Sequence, residues 1–98
     1  MAAVLASPPP VSASDAPTGR AAMERTRRML SRVTAHLGID RKELCRRFGL
    51  SERLGTYAFD KPALESGRFS PSGARLWAAV ERLRLHLGLE HEQEQAHE

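Results

Sequence analysis

The sequence predicts an all-α fold, a bundle of four to five helices that contains a helix-turn-helix and is flanked by disordered tails. Two long segments carry apolar residues at every third or fourth position, which is typical of amphipathic helices. Capping residues precede the candidate helices and glycines follow them, while no segment alternates polar and apolar residues as a strand does. With 98 residues, the chain has room for one small domain, which excludes a barrel, a doubly wound sheet and a two-domain enzyme.

Both ends of the chain are predicted to be disordered. Residues 1–19 contain five Ala, four Pro and three Ser, a composition that buries too little apolar surface to fold. Residues 90–98 are acidic and contain no apolar side chain larger than Ala. The predicted helix-turn-helix domain is therefore residues 20–89.

The first helix is predicted over residues 20–37. Gly38 follows it and can adopt the left-handed conformation that ends a helix. The apolar stripe consists of small and apolar residues at helical spacing: Ala22, Met23, Thr26, Met29, Leu30, Val33 and Leu37.

A short second helix is predicted between Asp40 and Gly49. Asp40 followed by Glu43 fits a capping box, in which each residue satisfies a backbone N–H of the other. The apolar face comprises Leu44, Cys45 and Phe48. Cys45 is interpreted as a small residue that fills the gap between two helices, since no base or second Cys stands near it in the sequence.

Ser51 is predicted to cap a third helix that runs from Glu52 to Phe59 or Asp60. The helix should end there because Lys61 precedes Pro62 and is pushed away from helical angles. A separate helical turn over residues 62–66, ended by Gly67, is an open alternative for the stretch that follows.

The last helix is predicted to begin at Pro71, after the cap Ser70, and to stop at Gly88. Its predicted buried stripe is Leu76, Trp77, Val80, Leu83 and Leu87. Because a helix turns by about 100° per residue, Leu85 and Leu89 would lie on another side. We expect these two residues to form the interface of a symmetric homodimer.

Charge is distributed unevenly along the chain. The formal net charge is +3, yet residues 20–84 hold all fifteen basic residues and seven acidic ones, a net charge of +8. Such an excess favours a polyanionic partner, although a solvated basic surface is the plain alternative. Thirteen of the fifteen basic residues are Arg, which suits bidentate contacts with phosphate or guanine.

The segment from Arg41 to Phe59 predicts a helix, a tight turn at Gly49 and a second helix, which is the helix-turn-helix pattern. Residues 44–51, 64–71 and 76–87 resemble the lambda-repressor-like, or Xre-type, helix-turn-helix family. The resemblance covers about residues 22–89 and implies a DNA-binding domain. The chain departs from the family in a longer stretch between Gly49 and Gly67, and in Gly55, which stands where a branched apolar residue usually anchors the recognition helix.

The first functional hypothesis is a sequence-specific transcriptional regulator (a repressor, an antitoxin or a phage-type protein) that binds the major groove of double-stranded DNA as a homodimer. Ser51 would place helix amides near a phosphate, and base edges would be read near the start of the recognition helix. If residues 62–66 form a separate turn, the base-reading residues move there. The candidate phosphate contacts are Arg46, Arg47, Arg53, Lys61 and Arg68, and the candidate base-reading residues are Glu52, Arg53, Thr56 and Tyr57.

The second hypothesis is a helical module that binds a protein partner through a degenerate helix-turn-helix. Gly55 and the acidic residues Glu52 and Asp60 favour it. Neither hypothesis involves catalysis, a metal ion or a cofactor, because the sequence has no phosphate loop, metal-ligand spacing or nucleophile motif. With one Cys and no long apolar stretch, the protein is expected in the cytoplasm, at the nucleoid when bound to DNA, with no membrane partner.

Overall fold

Five α-helices make up most of the computed structural model, which describes residues 10–91 and contains no strand in that range. The all-α prediction is therefore confirmed. The predicted tails at residues 1–9 and 92–98 lie outside the described residues. The helices are α1 (Arg20–Leu37), α2 (Arg41–Arg47), α3 (Leu54–Tyr57), α4 (Lys61–Ser66) and α5 (Pro71–Leu87), and one 3-10 turn (Ala13–Asp15) precedes α1.

The two long helices, α1 and α5, pack against each other, and the short helices cover the same core. Both long helices have the predicted bounds. Most of their buried residues come from the predicted stripes. On α1, however, Leu37 is exposed at the end of the helix and Thr34 is buried in its place. On α5, Trp77, Leu83 and Leu87 are only half-buried, while Gly73, Ala79 and Glu81 occupy buried positions outside the predicted stripe. The fully buried side chains are Met23, Met29, Leu30, Val33, Leu44, Cys45, Leu54, Leu76 and Val80.

The start and end of α2 follow the predicted pattern with one exception. Asp40 Oδ1 accepts a hydrogen bond from the Glu43 N–H at 2.8 Å, as the capping box predicts. The exception is the Glu43 carboxylate, which binds Arg46 and Arg47 and not the Asp40 backbone N–H. At the other end, Gly49 has a φ of 70°. This left-handed residue turns the chain so that the Leu50 N–H reaches Cys45 O at 2.8 Å, and the Leu50 side chain enters the core.

The predicted third helix, from Glu52 to Phe59 or Asp60, is wrong at both ends. Ser51 Oγ accepts a hydrogen bond from the Arg53 N–H at 3.3 Å, which closes a turn, so that α3 begins only at Leu54. Asp60 has extended backbone angles and accepts a hydrogen bond from the Ala63 N–H at 3.0 Å. Asp60 therefore caps a new helix, α4, and the alternative of a separate turn is the one that the structure contains.

A close contact fixes the crossing of α2 and α3. A methyl group added to Gly55 would lie 2.9 Å from Arg41 Cβ, which is too close for two carbon atoms. The Arg41 guanidinium donates hydrogen bonds to Gly55 O at 3.2 Å and to Ser31 Oγ at 2.8 Å. Arg41 therefore joins α1, α2 and α3, and only Gly fits at position 55.

The predicted disorder is wrong for residues 10–19. The turn Ala13–Asp15 packs against α5, and Ser12 caps it by accepting a hydrogen bond from the Ser14 N–H. Farther along, the Gly19 N–H donates to Gly67 O at 2.7 Å. Val11 and Ala13 line a groove together with residues of α5, so even a Pro-rich segment gains contacts that hold it in place.

The last described residues are also attached to the domain. Arg32 Nη1 donates to Glu90 O at 2.7 Å, and Arg84 Nη1 donates to Leu89 O at 2.9 Å. The buried Glu81 carboxylate binds Arg84 through one oxygen, at 2.9 Å from Nη2, and lies 2.7 Å from His91 Nε2 through the other. The folded region therefore extends to His91, two residues beyond the predicted domain end.

We predict that Glu81→Gln lowers the free energy of unfolding by about 1–3 kcal/mol, because it removes charge-assisted hydrogen bonds from a site with little water. Urea unfolding followed by circular dichroism measures the change. Glu65→Gln is the matched control, since Glu65 is exposed on α4. Equal unfolding midpoints for the two variants would contradict the structural role of Glu81.

We also predict that Gly55→Ala lowers the free energy of unfolding by about 1–3 kcal/mol through overpacking, although Ala favours helix by about 1 kcal/mol relative to Gly. The effect should disappear in an Arg41→Gly background, where the opposing Cβ is gone. A thermodynamic cycle of the four proteins separates the two effects. Stabilisation by Gly55→Ala in the wild-type background would show that the contact does not restrict position 55.

Candidate nucleic-acid interface

A cleft of about 380 Å³ opens on the exposed side of α2 and α3. The Arg41–Gly55 contact places two sides of this cleft. Lys42 is the residue after Arg41, Thr56 is the residue after Gly55, and both line the cleft. The Tyr57 side chain is 43% exposed and offers an apolar ring beside polar groups. The cleft is lined by Lys42, Glu52, Arg53, Thr56 and Tyr57.

This cleft brings together all four residues predicted to read bases, Glu52, Arg53, Thr56 and Tyr57, although the helix predicted to carry them is reduced to one turn. Lys42 was absent from the predicted site. Its exposed position in the first turn of α2 is visible in the sequence, but its approach to Thr56 depends on how α2 crosses α3. Neither Lys42 nor Arg53 forms an ion pair with another residue between 10 and 91.

Arg46 and Arg47, predicted to contact phosphates, lie in a chain of ion pairs on the same surface. Glu43 binds both of them, through Oε1 to Arg46 and through Oε2 to Arg47 Nε at 2.8 Å. Arg46 Nε also donates to Glu52 Oε2 at 2.9 Å. The hydrogen bond to Glu52, aided by the charges of Glu52 and Glu43, raises the pKa of the Arg46 guanidinium, so that Arg46 remains a cation among acidic partners.

Ser51 has a smaller role than predicted. Its hydroxyl accepts from the Arg53 N–H and closes the turn before α3, so it does not cap the first residue of a long recognition helix. A helix of four residues offers little of the N-terminal charge that attracts a phosphate. Any contribution of Ser51 to binding would come from its exposed hydroxyl.

Lys61 and Arg68 lie beyond α3, exposed at the start of α4 and in the loop after it. Arg68 borders a second groove of about 470 Å³ between α3, α4 and the start of α5. The groove is largely apolar, with Tyr57, Pro62 and Phe69 along its walls. The Phe69 ring also packs edge-on against Phe59 with ring centroids 6.0 Å apart, which anchors the loop to the core.

Cys45 lies beneath this surface and is fully buried. Burial raises the pKa of its thiol, against the smaller opposing effects of a hydrogen bond with the Gly55 backbone and of the Arg41 charge. A buried thiol with a raised pKa is a poor nucleophile, which agrees with its interpretation as a small packing residue.

Leu85 and Leu89, the two residues predicted to form the dimer interface, lie in different environments. Leu85 is 36% exposed on α5, as expected. Leu89 instead packs against the core, so the prediction that it shares an exposed face with Leu85 is wrong. The helix ends at Leu87, and the left-handed Gly88 folds the chain back so that the Leu89 N–H bonds Arg84 O at 3.0 Å. Helical periodicity therefore does not extend to position 89.

Neither a membrane-spanning helix nor a cluster of metal ligands is present among residues 10–91. No helix in this range is both long and apolar enough to cross a bilayer. No three His, Cys, Asp or Glu side chains within it are grouped so that they could hold a metal ion.

Comparison with known proteins gives no relative for this chain: no family model matches it, and no curated protein or solved structure matches it either. Its function must therefore be inferred from its own residues and their geometry.

Proposed function

We propose that this protein is a small transcriptional regulator that binds double-stranded DNA through the surface of α2 and α3, as a homodimer. The observation that carries the proposal is the cleft that gathers Lys42, Arg53, Thr56 and Tyr57 around the carboxylate of Glu52. Two cations without ion-pair partners among the described residues flank a hydroxyl and an aromatic ring. This combination suits a phosphate backbone beside base edges.

The charge of the domain supports the same partner. Residues 20–84 carry a net charge of +8, which would attract DNA from any direction. Exposed cations that form no ion pair gain most from a phosphate, since they give up no existing partner. Lys61 and Arg68 meet this condition within the described residues and extend the basic surface beyond α3.

The separate helix α4 meets the condition under which the sequence would move base reading to residues 62–66, but the side chains available on each segment favour α3 as the base-reading element. On α4, Glu65 offers a carboxylate, but the Ser66 hydroxyl already donates to Ala63 O at 2.7 Å. Pro62 has no hydrogen-bonding side chain. The segment 51–57 therefore offers more groups that can contact base edges than residues 62–66 do, although the latter form a helix of their own.

We predict that Lys42→Ala and Arg53→Ala each weaken binding to mixed-sequence duplex DNA and lower the slope of log affinity against log salt by about one, because each removes one phosphate contact. Fluorescence anisotropy over a salt series measures both quantities. If α3 reads the bases, Thr56→Ala should change sequence preference without changing the slope. An unaltered sequence preference would move base reading to residues 62–66.

Arg82→Ala is the control for this experiment. Arg82 is an exposed cation on α5, beside Val11 and Ala13, and also lacks an ion pair among the described residues. An equal fall in slope for Arg82→Ala would show that DNA is attracted by total charge and not by this surface. Absence of DNA binding at low salt by the wild type would refute the proposal.

A protein partner is the second candidate function, favoured by the largely apolar groove along Tyr57, Pro62 and Phe69. The acidic residues Glu43 and Glu52 support it too, because they offset Arg46 and Arg47 on the same face. A protein that binds no duplex at low salt, yet whose Tyr57 fluorescence changes on adding a partner, would favour this function.

The homodimer is proposed because one domain of this size covers a single short half-site. Specific binding at physiological salt usually requires two half-sites, which two-fold pairing places about 34 Å apart along the DNA. The exposed Leu85 on α5 is the remaining candidate for the contact, since Leu89 belongs to the core.

We predict that the wild type dimerises at tens of micromolar and that Leu85→Glu shifts it to the monomer, because a buried charge opposes the apolar contact. Light scattering coupled to size exclusion gives the mass directly. His86→Glu adds the same charge at the neighbouring exposed position and should leave the dimer intact. A wild type that is monomeric both free and on DNA would contradict this part of the proposal.

A further inference from the structure

We infer that Glu52 determines sequence specificity by accepting a hydrogen bond from the N4 amino group of a cytosine, and that Arg46 positions Glu52 for this task. The inference rests on the proposed DNA-binding function. It assigns Arg46 to a positioning role, where the sequence alone suggests a phosphate contact.

One oxygen of the Glu52 carboxylate is hydrogen-bonded within the protein and, among the described residues, the other is free to accept a hydrogen bond. Its Oε2 accepts a hydrogen bond from Arg46 Nε at 2.9 Å. Its Oε1 has no hydrogen-bond partner among residues 10–91, and the side chain is 52% exposed. The group lines the cleft beside Arg53 and Thr56, so its unused acceptor faces the region assigned to base edges.

A chain of three ion pairs restrains this carboxylate. Arg47 and Arg46 both bind Glu43, and Arg46 also binds Glu52. Long side chains lose rotamer freedom when they bind a ligand. The Glu52 side chain would lose less rotamer freedom on binding, because Arg46 already holds one Glu52 oxygen on the α2 side of the turn.

Base chemistry decides what such a group can contact. A carboxylate is repelled by phosphates, and at pH 7 it only accepts hydrogen bonds. In the major groove, guanine and thymine present acceptors to it, whereas cytosine and adenine present amino groups. Adenine also carries the N7 acceptor beside its amino group, which repels a carboxylate. Cytosine offers its N4 donor with no acceptor of its own at that edge, so it is the base that fits best.

The roles of Arg46 follow from its partners. Its Nε and Nη1 both donate to carboxylates, so a bidentate phosphate contact that uses either of these nitrogens would have to displace a carboxylate. An Arg that already neutralises acidic side chains releases few counterions from DNA when the complex forms. Removing Arg46 should therefore alter base discrimination more than the salt dependence of binding.

The test begins by selecting binding sites for the wild-type protein from a pool of random duplexes. We expect a C·G pair at one position of each half-site. Changing that pair to T·A should weaken wild-type binding by about 10- to 100-fold. In Glu52→Gln, the same base change should cost less than about threefold. Glu65→Gln, at an exposed residue of α4, should retain the wild-type discrimination.

Arg46→Ala tests the positioning role. We expect it to reduce the cytosine discrimination to within about threefold of that of Glu52→Gln, while the salt slope changes by less than half a unit. Circular dichroism and thermal melting establish that each variant is folded. A loss of one full unit in the slope, with discrimination intact, would make Arg46 a phosphate contact and overturn its assignment here.

The outcomes separate this inference from the proposed function. If the wild type selects sites with no preferred cytosine, or Glu52→Gln keeps the discrimination, Glu52 does not read cytosine although the protein still binds DNA specifically. If the wild type binds no duplex, the DNA-binding proposal itself fails and this inference fails with it.

Discussion

Arg41 lies against Gly55 where α2 crosses α3, and its guanidinium also reaches Ser31 on α1. One side chain thus sets the relative positions of three helices. A helix as short as α3 has almost no stability of its own and depends on such tertiary contacts. The surface proposed to bind DNA is formed by the residues next to this contact, since Lys42 adjoins Arg41 and Thr56 adjoins Gly55. The absence of a side chain at position 55 is therefore a requirement of the site.

The basic residues of the domain are not all equally free to bind a partner. Arg84 lies in a partly buried pair with Glu81. At the surface, Arg46 and Arg47 both bind Glu43, and Arg46 also binds Glu52. Exposed pairs of this kind contribute little to stability, because water and salt screen them. Their value here is geometric: they hold a carboxylate beside cations that have no acidic partner among the described residues. In the proposed complex with DNA, this surface would combine phosphate attraction at Lys42 and Arg53 with the hydrogen-bond acceptor at Glu52.

Local signals in the sequence predicted the long helices well, since capping at Ser70, the stop at Gly38 and the 3.6-residue stripes each act within one helix. Predictions from these local signals were wrong where contacts between residues far apart in the sequence determine the structure. The end of α3 depends on Asp60 capping α4, and the order of residues 10–19 depends on the surface of α5. Leu89 leaves the helical register because Gly88 reverses the chain. The place of four cleft residues in the motif was enough to predict them. The position of Lys42 in the cleft and the pairing of Arg46 with Glu52 depend on how α2 crosses α3, which the sequence alone does not give.

We propose above that DNA binds to the surface of α2 and α3. Titrating ¹⁵N-labelled protein with a mixed-sequence duplex, and following the backbone amides by NMR, tests the claim most directly. We expect the largest shift changes at Lys42 and at residues 51–57, with small changes along α5 near Arg75 and Arg82. Changes concentrated on α5, with residues 51–57 unaffected, would contradict it.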